Sequence, residues 1–182
     1  MLKLSENPPI LPFGVDSPEQ LSGPWWVAHT KSRCEKAFAW EMAERKIGYF
    51  LPLVERITIS SGKKRRVMAP VFPSYVFFCG DDVARYTALT TDRLCQVLHV
   101  VDQVQLISEL SALNRAIRNK MPLDAYTFAV VGKRCRVTKG PLQGVEGPII
   151  QRNGVNHLIL EVKMLGQAAI LQIDADLLEP VD

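Results

Sequence analysis

A chain of 182 residues, 47% of them hydrophobic, can bury a real core and has room for one large domain or two small ones. Its formal net charge is only +3, too mild an excess to make a nucleic-acid binder by bulk charge, so any such role rests on where the 22 Lys and Arg sit. The four cysteines, Cys34, Cys79, Cys95 and Cys135, form no C-x-x-C pair and read as buried free thiols, and His29, His99 and His157 lack zinc-site spacing, so no metal is implied.

The opening stretch "MLKLSENPPILPFGVDSPEQLSGP" is interrupted by Pro8, Pro9 and Pro12, too often for a signal peptide, and residues 1–23 read as a flexible leader. Nothing approaches an uninterrupted apolar span of about 18 residues, which points to a cytoplasmic protein without a membrane partner. "WWVAH" is a short apolar strand, and Ser32-x-x-Glu35 has the spacing of a capping box. A helix is expected over "CEKAFAWEMAERKI", with Cys34, Phe38 and Met42 on one face and Gly48 as a left-handed stop.

Next, "YFLPLVERITI" and "VMAPVFPSYVFFC" flank the polar tip "SSGKKRR" and predict a long hairpin. Pro52, Pro70 and Pro73 confine its proximal parts to an edge or a bulge, leaving "SYVFFC" as the central strand. Alternation there sends Tyr75 and Phe77 to one face and Val76 and Phe78 to the other. One face can be core while the other is an exposed apolar patch, or both can be core. Asp81 or Asp82 caps a short helix, "VARYTALT", followed by the strand "CQVLHVV" and an amphipathic helix marked by Ile107, Leu110, Leu113 and Ile117. The order fits an α+β split β-α-β fold, one antiparallel sheet with helices packed on it, ending in a connector at "KMPLDAYTF".

The last third holds short strands only. Arg134, Arg136 and Thr138 alternate with Cys135 and Val137, and Asn153-Gly154 joins "PIIQ" to "VNHLILEVKML" as a hairpin. "AAILQID" and "LLEP" complete about five strands, enough for a small barrel. In "GKRCRVTKGPLQGVEGPII", Gly140-Pro141 turns the chain, and Gly144 and Gly147 allow positive φ. On spacing alone these glycines need do no more than shape a loop.

That same stretch resembles the KOW motif, the first turn of a Tudor-like barrel. Upstream, "WWVAHTKSRCEKAFAWEM" and "APVFPSYVFF" resemble the first strand and helix and the "FP-x-Y-x-F" strand of the NusG N-terminal domain. The resemblance runs from about Trp25 to the C-terminus and points to the NusG family of transcription elongation and antitermination factors. It implies a leader at 1–23, an N-terminal domain at 24–118, a linker at 119–129 and a KOW domain (Tudor- or SH3-like β-barrel) at 130–182. The family's N-terminal domain docks on the clamp helices of RNA polymerase, and its KOW domain recruits other machinery. No cofactor and no enzymatic step are implied, in line with the lack of a nucleophile-base pair or phosphate loop.

Carried over position by position, His29, Phe72, Tyr75 and Phe77 match the polymerase-gripping set. Lys31, Arg85, Thr87 and Arg93 match the segments that meet the non-template DNA strand, although ordinary solvated surface is the competing reading for each. Lys31 and Arg33 in "HTKSR" and the stretch "RYTALTTDR" resemble a specialised RfaH-type paralogue more than the housekeeping protein. The "GKKRR" tip is either a solvated turn or a contact to the cleft wall or upstream DNA. Val145 stands where the KOW loop meets a small-subunit ribosomal protein or Rho. A valine in place of a bulky aromatic predicts weak or absent Rho binding. A helical alternative for "HLILEVKMLGQAAILQID", as RfaH adopts, is disfavoured by the alternation of Leu158, Leu160, Val162 and Met164. A ribosome-associated or RNA-binding protein is the alternative to the whole reading.

Overall fold

The structure, a computed structural model, describes residues 6–60, 62–126 and 132–181. The first five residues of the leader, residues 127–129 of the linker, and residues 130, 131 and 182 of the last domain lie outside the described residues. The chain divides into two compact units, Met1–Gln103 and Val104–Asp182.

The first unit contains β1 (Trp25–Thr30), α1 (Glu35–Glu44), β2 (Gly48–Phe50), β3 (Leu53–Ser60), β4 (Lys63–Pro70), β5 (Tyr75–Cys79), α2 (Asp82–Leu89) and β6 (Leu94–His99). Four of the strands form an antiparallel sheet in the order β2-β5-β1-β6, so "SYVFFC" does supply an interior strand. Alternation then fixes the faces. Ala28, Val76, Phe78 and Tyr49 pack with Phe38, Ala39 and Met42 of α1 and Ala88 of α2 in one core cluster. Phe38 meets Phe78 edge to face, with centroids 5.9 Å apart. On the opposite face Trp25, Val27, Phe50 and Phe77 are fully buried too.

The two helices begin differently. Asp81 caps α2, its carboxylate accepting the Ala84 N–H at 2.9 Å. At α1 the capping box does not form: Cys34 is the N-cap without a side-chain bond, and the Glu35 carboxylate accepts the Ser74 N–H at 2.7 Å instead. The left-handed residue after α1 is Lys46, at φ 56°, and not Gly48. Gly48 is needed for another reason, because a Cβ there would meet Cys79 Sγ at 2.6 Å.

Part of the leader, around Pro9 to Leu11, is bonded to the first unit. Leu51 N–H donates to Ile10 O at 2.8 Å, Tyr49 hydroxyl to Pro9 O at 3.0 Å, and Leu11 is buried. The cysteines are free, but only Cys79 and Cys135 are buried; Cys34 is half-buried, and Cys95 is exposed on the edge strand β6. Burial pushes the Cys79 thiol up to about 11.

β3 and β4 form a separate two-stranded ribbon, paired from Leu53 with Pro70 to Ser60 with Lys63. Lys63 to Arg66 therefore lie within a strand rather than at a polar tip.

α3 (Gln103–Arg118) leads into the second unit, followed by β7 (Asp124–Tyr126), β8 (Lys133–Val137), β9 (Glu146–Arg152), β10 (Val155–Val162), β11 (Gln167–Gln172) and β12 (Leu178–Pro180). The buried face of α3 is Leu106, Leu110 and Leu113 with Ala112 and Ala116, whereas Ile107 and Ile117 are only half-buried. The six strands make one antiparallel sheet in the order β12-β8-β9-β10-β11-β7, and no pairing that closes it into a barrel occurs among the described residues. β7 lies in the stretch read as a connector. The Asn153-Gly154 hairpin is present, with φ 50° and 77° at its two turn residues. Gly140 and Gly144 take positive φ, but Gly147 does not; a Cβ there would run into the Ile159 carbonyl. β10 and β11 are strands, so the helical alternative is not the state of this chain, although Leu158, Ile159 and Leu160 are all buried and the alternation is not strict.

Candidate polymerase and nucleic-acid interface

The end of β1 gathers four of the expected site residues, His29, Lys31, Tyr75 and Arg93. A register shift between His29 and Thr30 ends the regular pairing with β6, and the chain turns there. Thr30 N–H donates to Ser74 O at 2.8 Å and Lys31 N–H to Arg93 O at 2.7 Å, which ties three loops together. Arg33, Ser74 and Asp92, one from each loop, have φ of 63°, 66° and 55°. Left-handed backbone at non-glycine residues is costly and persists where the surroundings impose it, as functional sites often do.

His29 and Tyr75 face each other across β1 and β5 and stack, with centroids 5.0 Å apart and planes 18° from parallel. Both are half-buried, so the pair keeps part of its surface in solvent. Phe72 and Phe77, expected beside them, are not surface residues. Phe72 is 1% and Phe77 0% exposed, packed edge to face on each other, with Phe50 against Phe77. The alternation that aligned Tyr75 with Phe77 is present, but only its Tyr75 end is uncovered.

Lys31 and Arg93 lie side by side, and both are engaged. Lys31 Nζ is 2.7 Å from Asp92 Oδ1, and the hydrogen bond between them raises the lysine pKa and lowers the aspartate pKa. Arg93 donates to Glu41, which also pairs with Arg45 at 3.3 Å, and the Glu41 bond raises the arginine pKa. Arg85 belongs to the other end of β1. Its guanidinium sits 5.3 Å from the centroid of the Trp26 ring and pairs with Asp82 at 3.1 Å. Trp26 and Lys31 are five residues apart, about 17 Å along a strand. Thr87 spends its hydroxyl on Val83 O at 2.8 Å. Lys31 and Arg93 are thus brought together, while Arg85 is held apart from them.

In the second unit Val145, expected at an exposed rim, is 6% exposed. Its N–H bonds Leu142 O at 2.9 Å, and it lines a cavity of about 310 Å³ with Glu109, Ala112 and Arg115 of α3. Arg115 donates to Gln143 O at 3.1 Å, and burial holds the Glu109 carboxyl above its usual range. Among the described residues no group of three or more His, Cys, Asp or Glu is placed to hold a metal. No helix there is long and apolar enough to cross a membrane.

Sequence reasoning missed Asp92, Glu41 and Trp26, the partners of the three cations. Asp92 lies 61 residues from Lys31 and Glu41 lies 52 from Arg93, beyond any local pattern.

A family model described as "Transcription termination factor nusG" matches residues 23–119, from just before β1 to just after α3. Among solved structures, one described as "Domain interaction in Thermotoga maritima NusG" is 15% identical with a TM-score of 0.49, covering 87% of this chain and 97% of that one. Another, "Crystal Structure of MjSpt4:Spt5 complex conformation B", is 12% identical with a TM-score of 0.27 over the same shares. No curated protein matches the chain. The assignment rests on the family model, which spans more than half of the sequence: the chain belongs to the NusG family of transcription factors.

Proposed function

We propose that this protein is a non-enzymatic elongation and antitermination factor of the specialised RfaH type, acting on RNA polymerase in the bacterial cytoplasm. Its first unit docks on the polymerase clamp helices through His29 and Tyr75. Lys31 and Arg93, beside them, meet the displaced non-template strand. The basic β3–β4 ribbon faces upstream DNA or the cleft wall. The second unit recruits a ribosomal protein rather than Rho, and recruitment through Val145 requires that residue to be uncovered.

The observation that carries this reading is the half-exposed His29–Tyr75 stack, bonded through its loops to Lys31 and Arg93, inside the segment that matches the family. An aromatic anchor at the centre of a docking surface carries about 2 kcal/mol or more. Tyr75→Ala in the full chain is therefore expected to weaken binding to purified bacterial RNA polymerase by about 30-fold, with melting little changed. Wild-type affinity in both Tyr75→Ala and His29→Ala would remove the docking assignment.

A further inference from the structure

The two carboxylates that hold the cations at the end of β1 are built differently. Glu41 lies on α1 with its side chain 19% exposed, and it receives both Arg93 and Arg45. That is a fixed support. Asp92 sits on the turn between α2 and β6 with its side chain 95% exposed, and Lys31, itself 48% exposed, is 2.7 Å away. An exposed pair of this kind contributes little to folding. It does occupy the ammonium group, with an acceptor whose geometry a phosphate oxygen reproduces.

We propose that Asp92 is an intramolecular competitor: it occupies Lys31 in the free protein and must be displaced by a nucleic-acid phosphate before Lys31 can bind one. This rests on the reading of Lys31 as a DNA contact and adds a regulatory residue to it. The exchange lowers affinity for every single strand alike. The site then stays empty on passing strands and fills when other contacts, such as those to the polymerase, hold the DNA in place. Arg93 takes no part in the exchange, because its carboxylate is largely covered and shared.

The backbone makes a clean test available. Asp92 has φ 55°, a conformation that asparagine tolerates better than other non-glycine residues, so Asp92→Asn removes the charge without straining the turn. Asp92→Gly serves as a second variant free of any φ restriction. The probe is a fluorescent oligodeoxythymidylate titrated with the full chain across a range of salt, using wild type, Asp92→Asn, Lys31→Ala and the double variant. Asp92→Asn and Asp92→Gly are expected to bind about two- to fivefold more tightly at low salt, the range spanned by an exposed ion pair. The gap closes as salt screens the pair, and Asp92→Asn gives no gain in the Lys31→Ala background.

Weaker binding by Lys31→Ala with no gain from either Asp92 variant would overturn the competitor while leaving the DNA contact intact. An equal gain with and without Lys31 would make the effect one of net charge and would overturn it too. Wild-type binding by both Lys31→Ala and Asp92→Asn would remove the DNA reading and the competitor together.

Discussion

The four-stranded sheet and the β3–β4 ribbon are cut from neighbouring stretches of one chain, yet they meet water in opposite ways. Phe50, Val76, Phe77 and Phe78 of the sheet are 0% exposed, whereas Ile57 and Ile59 of the ribbon are 65% and 72% exposed. Both stretches alternate and both are rich in β-branched or aromatic residues, so period does not distinguish them. Charge does. Residues opposite each other in the ribbon share a face, which puts Arg56 and Arg65 on one side and Arg66 and Lys64, beside the isoleucines, on the other. Any element covering either side would have to desolvate cations, with Glu55 as the acidic residue of the ribbon to offset them. The sheet has two faces that are buried, whereas the ribbon is buried only at its base, where Leu53 and Met68 join the core, and not along its charged outer part.

The largest effect that would test this contrast is at Phe77. Truncating a fully buried phenylalanine removes its transfer free energy and leaves a cavity against Phe50 and Phe72, so Phe77→Ala is expected to cost about 3–5 kcal/mol in urea unfolding of the full chain. A loss below about 1 kcal/mol would mean that the Phe77 side of the sheet is open to solvent. Phe77 would then return to the surface set with Tyr75.

Features written in adjacent residues were legible in the sequence. The interior strand "SYVFFC", a cap at Asp81 or Asp82, and the Asn153-Gly154 hairpin each depend on a few neighbouring side chains, and each is present, with Asp81 as the cap. What failed depended on distant partners. Ser32 and Glu35 have the right spacing for a cap, but Ser74, 39 residues away, claims the Glu35 carboxylate. Alternation places Phe77 on the same face as Tyr75 and is silent about which part of that face is covered. The cations of the candidate site were visible as lysine and arginine, while the carboxylates that occupy them were not. Val145 shows the same limit, since a valine between Gly144 and Glu146 gives no sign that Glu109, Ala112 and Arg115 line the cavity beside it.

An intermediate effect is expected from removing the ribbon's charge. Lys63, Lys64, Arg65 and Arg66 are exposed, so replacing all four by alanine should leave melting nearly unchanged while weakening binding to an elongation complex with upstream duplex. The loss should be greatest at low salt. The plot of log affinity against log salt should flatten by about 0.9 for each phosphate contact removed. An unchanged slope would make the ribbon a solvated projection, and the contrast with the sheet would be one of folding alone.

The smallest effect belongs to the ribbon's isoleucines. Ile57→Thr and Ile59→Thr keep a β-branched side chain, so strand propensity is nearly preserved and the change tests burial. At 65% and 72% exposure neither residue has much apolar area to lose on truncation, and each variant should shift stability by about 0.5 kcal/mol or less. A loss near that of a core residue would mean that the ribbon is covered in solution. If a second copy were the cover, the melting temperature of the wild-type protein would rise with its concentration, and that of the variants would not. Neutral stability combined with weaker capture of the elongation complex would instead place the isoleucine edge against a partner. The ribbon would then differ from the sheet only in when its apolar surface is buried: on binding for the ribbon, on folding for the sheet.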